Sequence, residues 1–305
     1  MEAAIVELDY VPSAVARSLK ARSTATIGLL VPNSVNPYFA ELARGIEDAC
    51  ERNGYCVILC NSDDNPQKQR SYLRVLLEKR IDGLVVASVG QDDDLLQSLA
   101  SVRTPMVIVD RELEGVDADL VRIDHEQGAY LATRHLLELG HRDVAYIGGP
   151  AETGVTQLRL SGFRRAMAEA GAPVPGSRVL HCDFTSPGGH AAAAQMLEGK
   201  RPSAIFAGND MIGFGVLRAA AERNISVPGE LSVIGFDDIE LSRYVYPPLT
   251  TVGQSIRELG ESAASLLLTR IATPRQGAAE QRIVAPRIVL RESTGPRPDL
   301  FNEYR

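Results

Sequence analysis

Apolar positions along the chain follow two alternating patterns. Short continuous runs rich in β-branched residues, Thr26 to Val31, Cys56 to Cys60, Gly83 to Ala87 and Met106 to Val109, predict strands buried on both faces, as in a parallel sheet. Between them, helical periodicity predicts helices from Phe39 to Asn53 and from Asn65 to Lys79. Asn36-Pro37 and Asn65-Pro66 each supply a capping residue followed by a proline suited to the first helical position, and Gly54 supplies a stop. A second series repeats the grammar. Helices are predicted from Gly128 to Leu139 (stopped by Gly140), Arg159 to Glu169, Gly188 to Leu197 and Met211 to Arg223. They alternate with strands Val144 to Ile147, Arg178 to His181, Ala204 to Ala207 and Leu231 to Gly235. The tail departs from strict alternation, with a helix from Ser255 to Ile271, a Pro/Gly-rich connection and one strand from Arg282 to Leu290. Two similar α/β halves in succession are the expected fold class.

Ahead of the first strand, Pro12 to Lys20 reads as a short Ala-rich amphipathic helix, too short to be stable alone in water. The 305 residues are enough for two compact lobes. A hydrophobic share of 45% with 23% charged residues is that of a globular protein. The net charge of −7 excludes a general nucleic-acid binder, and Arg17, Lys20 and Arg22 only offset Glu2, Glu7 and Asp9. No apolar run reaches the ~20 residues needed to span a bilayer, and no signal peptide is evident, so a cytoplasmic location is expected. Cys50, Cys56, Cys60 and Cys182 read as small buried thiols rather than a metal site or disulfides.

Polar and aromatic residues gather on loops that follow strands, where open α/β sheets bind ligands. Asn36, Tyr38 and Phe39 follow the first strand, and equally read as a helix cap with core aromatics. Asp110 and Arg111 follow the fourth, where a solvated ion pair is the plainer reading. Arg159 passes alone as a helix-surface residue, Phe184 as core, Asn209 as a cap, Asp237 as a turn residue and Gln254 as a loop residue. A sugar site would need aromatics to stack on apolar ring faces and charged or amide groups to grip hydroxyls; these residues are candidates for both, while each plainer reading stands on its own.

Seven motifs in order give the chain a resemblance to the lactose/galactose-repressor (LacI/GalR) family from Tyr10 to about Ser293. They are Tyr10-Val-Pro-Ser-Ala-Val-Ala-Arg-Ser-Leu19, Arg80-Ile-Asp-Gly-Leu-Val85, Leu139-Gly-His-Arg142, Arg159-Leu-Ser-Gly-Phe163, Ala207-Gly-Asn-Asp210, Val233-Ile-Gly-Phe-Asp237 and Pro248-Leu-Thr-Thr251. The resemblance implies two Rossmann-like lobes of the periplasmic-binding-protein type I fold joined by a hinge. Residues 25–124 with 254–286 would form the N-terminal lobe, and 125–253 with 287–305 the C-terminal lobe. Residues 1–24 would be the end of a DNA-binding domain and its hinge helix, with most of the helix-turn-helix absent.

The same resemblance places Asn36, Tyr38, Phe39, Asp110, Arg111, Arg159, Phe184, Asn209, Asp237 and Gln254 where ribose-type receptors contact their ligand. Tyr38, Phe39 and Phe184 would sandwich the ring and the polar members would bind hydroxyls. Tyr38 stands where Phe is commoner in the family. A ribose-like pentose between the lobes is the expected effector, and a purine the alternative. Leu19 would wedge into the minor groove while Arg17 and Lys20 meet phosphates. A homodimer, operator DNA (weakly bound, if at all, by this chain) and a small-molecule effector are the implied partners, with no membrane partner. No cofactor or metal is expected.

An enzyme is disfavoured. There is no phosphate-binding loop, no dinucleotide fingerprint at Gly148-Gly149-Pro150, no Gly-x-Ser-x-Gly elbow and no paired-His metal spacing. A stand-alone sugar receptor would not be expected to carry the hinge segment.

Overall fold

The computed structural model describes residues 23–87, 92–110, 112–113, 115–253, 255–273 and 277–297. Two compact units divide the chain. The first gathers the chain up to Ser34, Leu42–Leu120 and Gly260–Gln281; the second gathers Val35–Glu41, Val121–Leu259 and the chain from Arg282 onward.

One sheet is ordered β11-β5-β4-β3-β1-β2. Its strands are β1 (Thr26–Val31), β2 (Cys56–Asn61), β3 (Gly83–Ala87), β4 (Met106–Val109), β5 (Asp119–Ile123) and β11 (Gln281–Val284). β1 to β4 lie in the first unit, and the unit boundaries fall within β5 and β11. Strands β2, β1, β3 and β4 pair in parallel. Helices α1 (Pro37–Arg52), α2 (Pro66–Glu78) and α3 (Asp93–Ala100) connect them. Asn65 caps α2, accepting from the N–H groups of Gln67 and Lys68 with Pro66 in the first turn. Strands β1, β3 and β4 are buried along nearly their whole length, as near-continuous apolar runs require. β2 is different. It lies at the sheet edge, and Cys56, Ile58 and Leu59 are exposed. The expectation of a doubly buried strand with a buried Cys56 thiol fails there, because an edge strand has a neighbour on one side only.

The second unit carries a sheet ordered β12-β10-β9-β8-β6-β7. Its strands are β6 (Val144–Gly148), β7 (Val179–His181), β8 (Ala204–Ala207), β9 (Ser232–Asp237), β10 (Thr250–Gly253) and β12 (Arg287–Val289). Only β12 runs antiparallel to its neighbour, β10. Helices α4 (His125–Glu138), α5 (Gly154–Glu169), α6 (Ser186–Met196) and α7 (Asp210–Glu222) alternate with the strands, and α8 (Ile256–Ala272) belongs mainly to the first unit. One core layer packs α6 and α7 residues such as Ala193, Val216 and Ala220 on Ile147 and Ile205. The other packs Ala132, Leu136, Phe163 and Met167 on Tyr146, Phe206 and Phe236.

The tail corrects one expectation. The apolar run from Arg282 to Leu290 is not one strand but two, β11 and β12, in different sheets. Pro286 lies between them and has no N–H for a ladder. Strands β5 and β10 and helix α3 were also missing from the sequence pattern. Arg178 ends a 3₁₀ turn, Gly176–Arg178, instead of opening a strand.

Candidate functional site

Three structural features build the site in the second unit: the end of β9, the loop between β8 and α7, and the buried face of α5. β9 is buried throughout and finishes at Asp237, which is 5% exposed. Asp237 has φ 112° and Asp238 φ 59°. Left-handed backbone at non-glycine residues is costly, Asp among the least so, and it concentrates at functional sites. In the first unit Asp110, just past β4, is likewise 5% exposed with φ 83°. Each unit thus ends a buried strand with a buried carboxylate on left-handed backbone.

Arg159 is the centre of the cluster. It sits on α5 yet is 4% exposed, so it is not the helix-surface residue that its sequence position suggests. Its Nη2 donates to Asp237 Oδ1 at 3.2 Å and lies 3.3 Å from His125 Nδ1. Its Nη1 donates to the Gly208 carbonyl. The guanidinium carbon stands 3.8 Å from the centroid of the Phe236 ring. A buried cation is tolerated when paired and hydrogen-bonded, and the aromatic face adds attraction. The Nε–H has no protein partner.

Neighbouring loops hold the remaining polar groups. Asn209 is 2% exposed and its side chain caps α7, accepting from the Ile212 N–H at 2.9 Å. The next residue, Asp210, is fully buried. It accepts from the Ile239 N–H at 2.9 Å, Ser242 Oγ at 2.7 Å and Thr251 Oγ1 at 2.5 Å, which ties the segment after Asp237 to β10. Burial outweighs those hydrogen bonds and pushes the Asp210 carboxyl up to about 7, with the nearby Asp238 charge adding. Asp238 in turn pairs with Arg291. Phe184 follows β7 and lays its ring on Gly149, where a Cβ would come within 2.1 Å of its Cζ.

Asn36 accepts from the Tyr38 N–H at 3.1 Å through its side chain and from the Phe39 N–H at 3.0 Å through its carbonyl. Tyr38 is 4% exposed, and its ring meets Phe39 edge-on at 5.0 Å. All three residues belong to the second unit, whereas Asp110 belongs to the first. Arg111, Gln254 and the hinge residues Arg17, Leu19 and Lys20 lie outside the described residues.

Residues 24–292 match the family model of periplasmic binding proteins and the sugar binding domain of the LacI family. The chain belongs to this family. It is similar to the HTH-type transcriptional repressor PurR of Proteus mirabilis, 44% identical over 99% of this chain and 89% of that protein. The PurR repressor of Photobacterium profundum is 42% identical over 95% of this chain and 87% of its own length. Among solved structures, a LacI family transcriptional regulator from Enterococcus faecium with bound ribose superimposes with a TM-score of 0.80 at 34% identity, covering 89% of this chain and 99% of that one. The regulator CcpA of Lactococcus lactis does so with 0.82 at 29% identity, over 88% and 98%.

As a LacI-family member, the chain is the effector-binding domain of a transcriptional regulator and not an enzyme. Its α/β fold is that of the periplasmic-binding-protein-like regulators. Among the described residues no helix is long and apolar enough to cross a membrane, and no three His, Cys, Asp or Glu side chains group to hold a metal ion. Three members of the cluster are not among the site residues expected from sequence: His125, and Phe236 and Asp210, which the motifs contain but which carried no site role. Phe236 and Asp210 stand next to predicted site residues, which was the available signal. His125 is remote in sequence from Arg159 and Asp237, and nothing local marks it.

Proposed function

We propose that this LacI-family effector domain binds a ribose-like pentose and passes its occupancy to operator DNA. The observation that carries the reading is the buried Arg159–Asp237 pair, set on the Phe236 ring with the Arg159 Nε–H unpartnered. A sugar hydroxyl both donates and accepts, so neighbouring hydroxyls suit a site that offers a carboxylate beside a guanidinium. The remaining contacts in this reading are Asn36, Tyr38, Phe39, Asp110, Arg111, Phe184, Asn209 and Gln254. The ribose held by the 34%-identical Enterococcus faecium regulator supports the same class.

A purine effector is the second reading, and the relatives at 42–44% identity, each named HTH-type transcriptional repressor PurR, favour it. A flat base, which has no hydroxyls, would need fewer hydroxyl-gripping charges than this set of residues supplies.

In this proposal the effector acts by differential affinity for two conformations, with a coupling of about 1–3 kcal/mol to operator binding. Arg17, Leu19 and Lys20 contact DNA, and the working unit is a cytoplasmic homodimer. Exposed Leu241, Tyr244 and Tyr246, at 49%, 75% and 93%, support a self-association face in the second unit.

The test is titration calorimetry of the chain with ribose, arabinose, xylose, hypoxanthine and guanine. Saturable ribose binding that Asp237→Ala abolishes is expected. Binding of hypoxanthine or guanine alone transfers the assignment to the purine reading, and unchanged ribose affinity in Asp237→Ala refutes the site.

A further inference from the structure

We infer that His125 is the positioning residue of the effector site, holding the Arg159 guanidinium in place through Nδ1. The inference rests on the reading of Arg159 as an effector-binding group.

His125 is fully buried and is the first residue of α4. It follows Asp124, whose carboxylate caps the helix by accepting from the Gln127 N–H at 2.9 Å. Its Nδ1 faces Arg159 Nη2 at 3.3 Å. A guanidinium has donors only, so this contact is a hydrogen bond only if Nδ1 presents its lone pair. The ring is then neutral with its proton on Nε2.

The two hydrogens on Nη2 are thereby both assigned, one to Asp237 Oδ1 and one to His125 Nδ1. Nη1 donates to the Gly208 carbonyl. The Phe236 ring carries the guanidinium on its face and has the imidazole 5.9 Å away, centroid to centroid. Contacts from α4, the β8–α7 loop and β9 therefore fix the plane of one long side chain. A flexible side chain ordered before binding costs less affinity when the ligand arrives. Without the imidazole, one Nη2 hydrogen loses its acceptor, and the fork is held by Asp237, the Gly208 carbonyl and the Phe236 face without its contact from α4. A lysine or arginine at position 125 would instead place two cations in contact.

The experiment measures ribose affinity by calorimetry for the wild type, His125→Leu, His125→Asn, Arg159→Gln and the double variant His125→Leu/Arg159→Gln, with thermal unfolding of each. His125→Leu is expected to weaken ribose binding about tenfold, in the range of coupling between contacting residues. His125→Asn restores most of the affinity, because its side-chain oxygen accepts from Nη2. In the Arg159→Gln background His125→Leu changes little, which a merely structural role would not produce. Equal losses in both backgrounds, or no rescue by Asn, overturn the inference. Nitrogen-15 chemical shifts of the His125 ring in the effector-free protein give a readout independent of any ligand. The Nε2–H tautomer is expected, and an Nδ1–H tautomer or a charged ring overturns the inference even if ribose binds. Absence of ribose binding by the wild type, with the Nε2–H tautomer present, refutes the pentose reading and leaves the Arg159–His125 contact standing.

Discussion

Arg159 and Asp237 form an ion pair at 3.2 Å with side chains only 5% and 7% exposed. They come from different elements, a helix and a strand end, 78 residues apart in sequence. Removing either partner leaves a buried charge uncompensated. Asp237→Ala is therefore expected to lose effector binding and to lower unfolding stability by about 3–5 kcal/mol. Urea unfolding monitored by circular dichroism checks the second part. A loss under about 1 kcal/mol would mean that solvent reaches the Arg159 guanidinium.

Asp210 makes stability depend on pH. Its carboxyl sits at about 7 in the fold, raised from the usual 3.8 chiefly by burial. A carboxyl raised on folding favours the native state while protonated. That contribution is fully present below about 3.8 and is lost as pH rises through about 7. The Tm advantage of the wild type over Asp210→Asn is expected to shrink as pH rises from about 5 to about 8. A constant Tm difference across that range would show that Asp210 keeps one protonation state there.

Gly149 and Phe184 are coupled by contact. A Cβ at position 149 would reach to 2.1 Å of the Phe184 ring, so Gly149→Ala must push the ring aside. Overpacking of this kind costs about 1–3 kcal/mol. The double variant Gly149→Ala/Phe184→Ala is expected to be more stable than the sum of the singles predicts. Additive effects in denaturant unfolding would show that the ring already moves freely.

Asp119 anchors the first unit in the same way that Asp237 anchors the second. It is 2% exposed and accepts from Arg270 Nε at 2.7 Å and the Glu280 N–H at 2.7 Å. The contact joins β5 to α8 and to the start of β11. Asp119→Ala removes the acceptor of the Glu280 N–H and of Arg270 Nε, leaving Arg270 its Glu280 carboxylate at 3.3 Å, at an expected cost of about 1–3 kcal/mol. Faster amide exchange at Leu120 and Glu280 than in the wild type is the expected signature, and unchanged exchange there would refute the anchoring role.

Much of the architecture was legible because its signals are local. β1, β3, β4 and β8 match runs of apolar residues to the residue, and Asn65-Pro66 marks the start of α2. Errors arose where a neighbour decides. β2 has an ordinary apolar run, but the sheet leaves it at an edge. Thr250–Gly253 carries too little apolar signal to stand out, yet it is buried between β9 and β12. The Arg282 to Leu290 run spans two sheets because Pro286 interrupts it and β11 and β12 pair with different neighbours.

The site divides along the same line. Asp237 and Asn209 are readable as polar residues closing apolar strand runs, since a strand end is a local event. Arg159 is not, because helical periodicity says which residues share a face but not what that face meets. Burial of Arg159, its pairing with Asp237 and its contact with His125 depend on chain segments 78 and 34 residues away. Short-range backbone preferences and apolar spacing were enough for the alternation of strands and helices. Which charges ended up buried together was decided only when distant strands and helices packed, because a buried charge persists only where its partner is delivered to it.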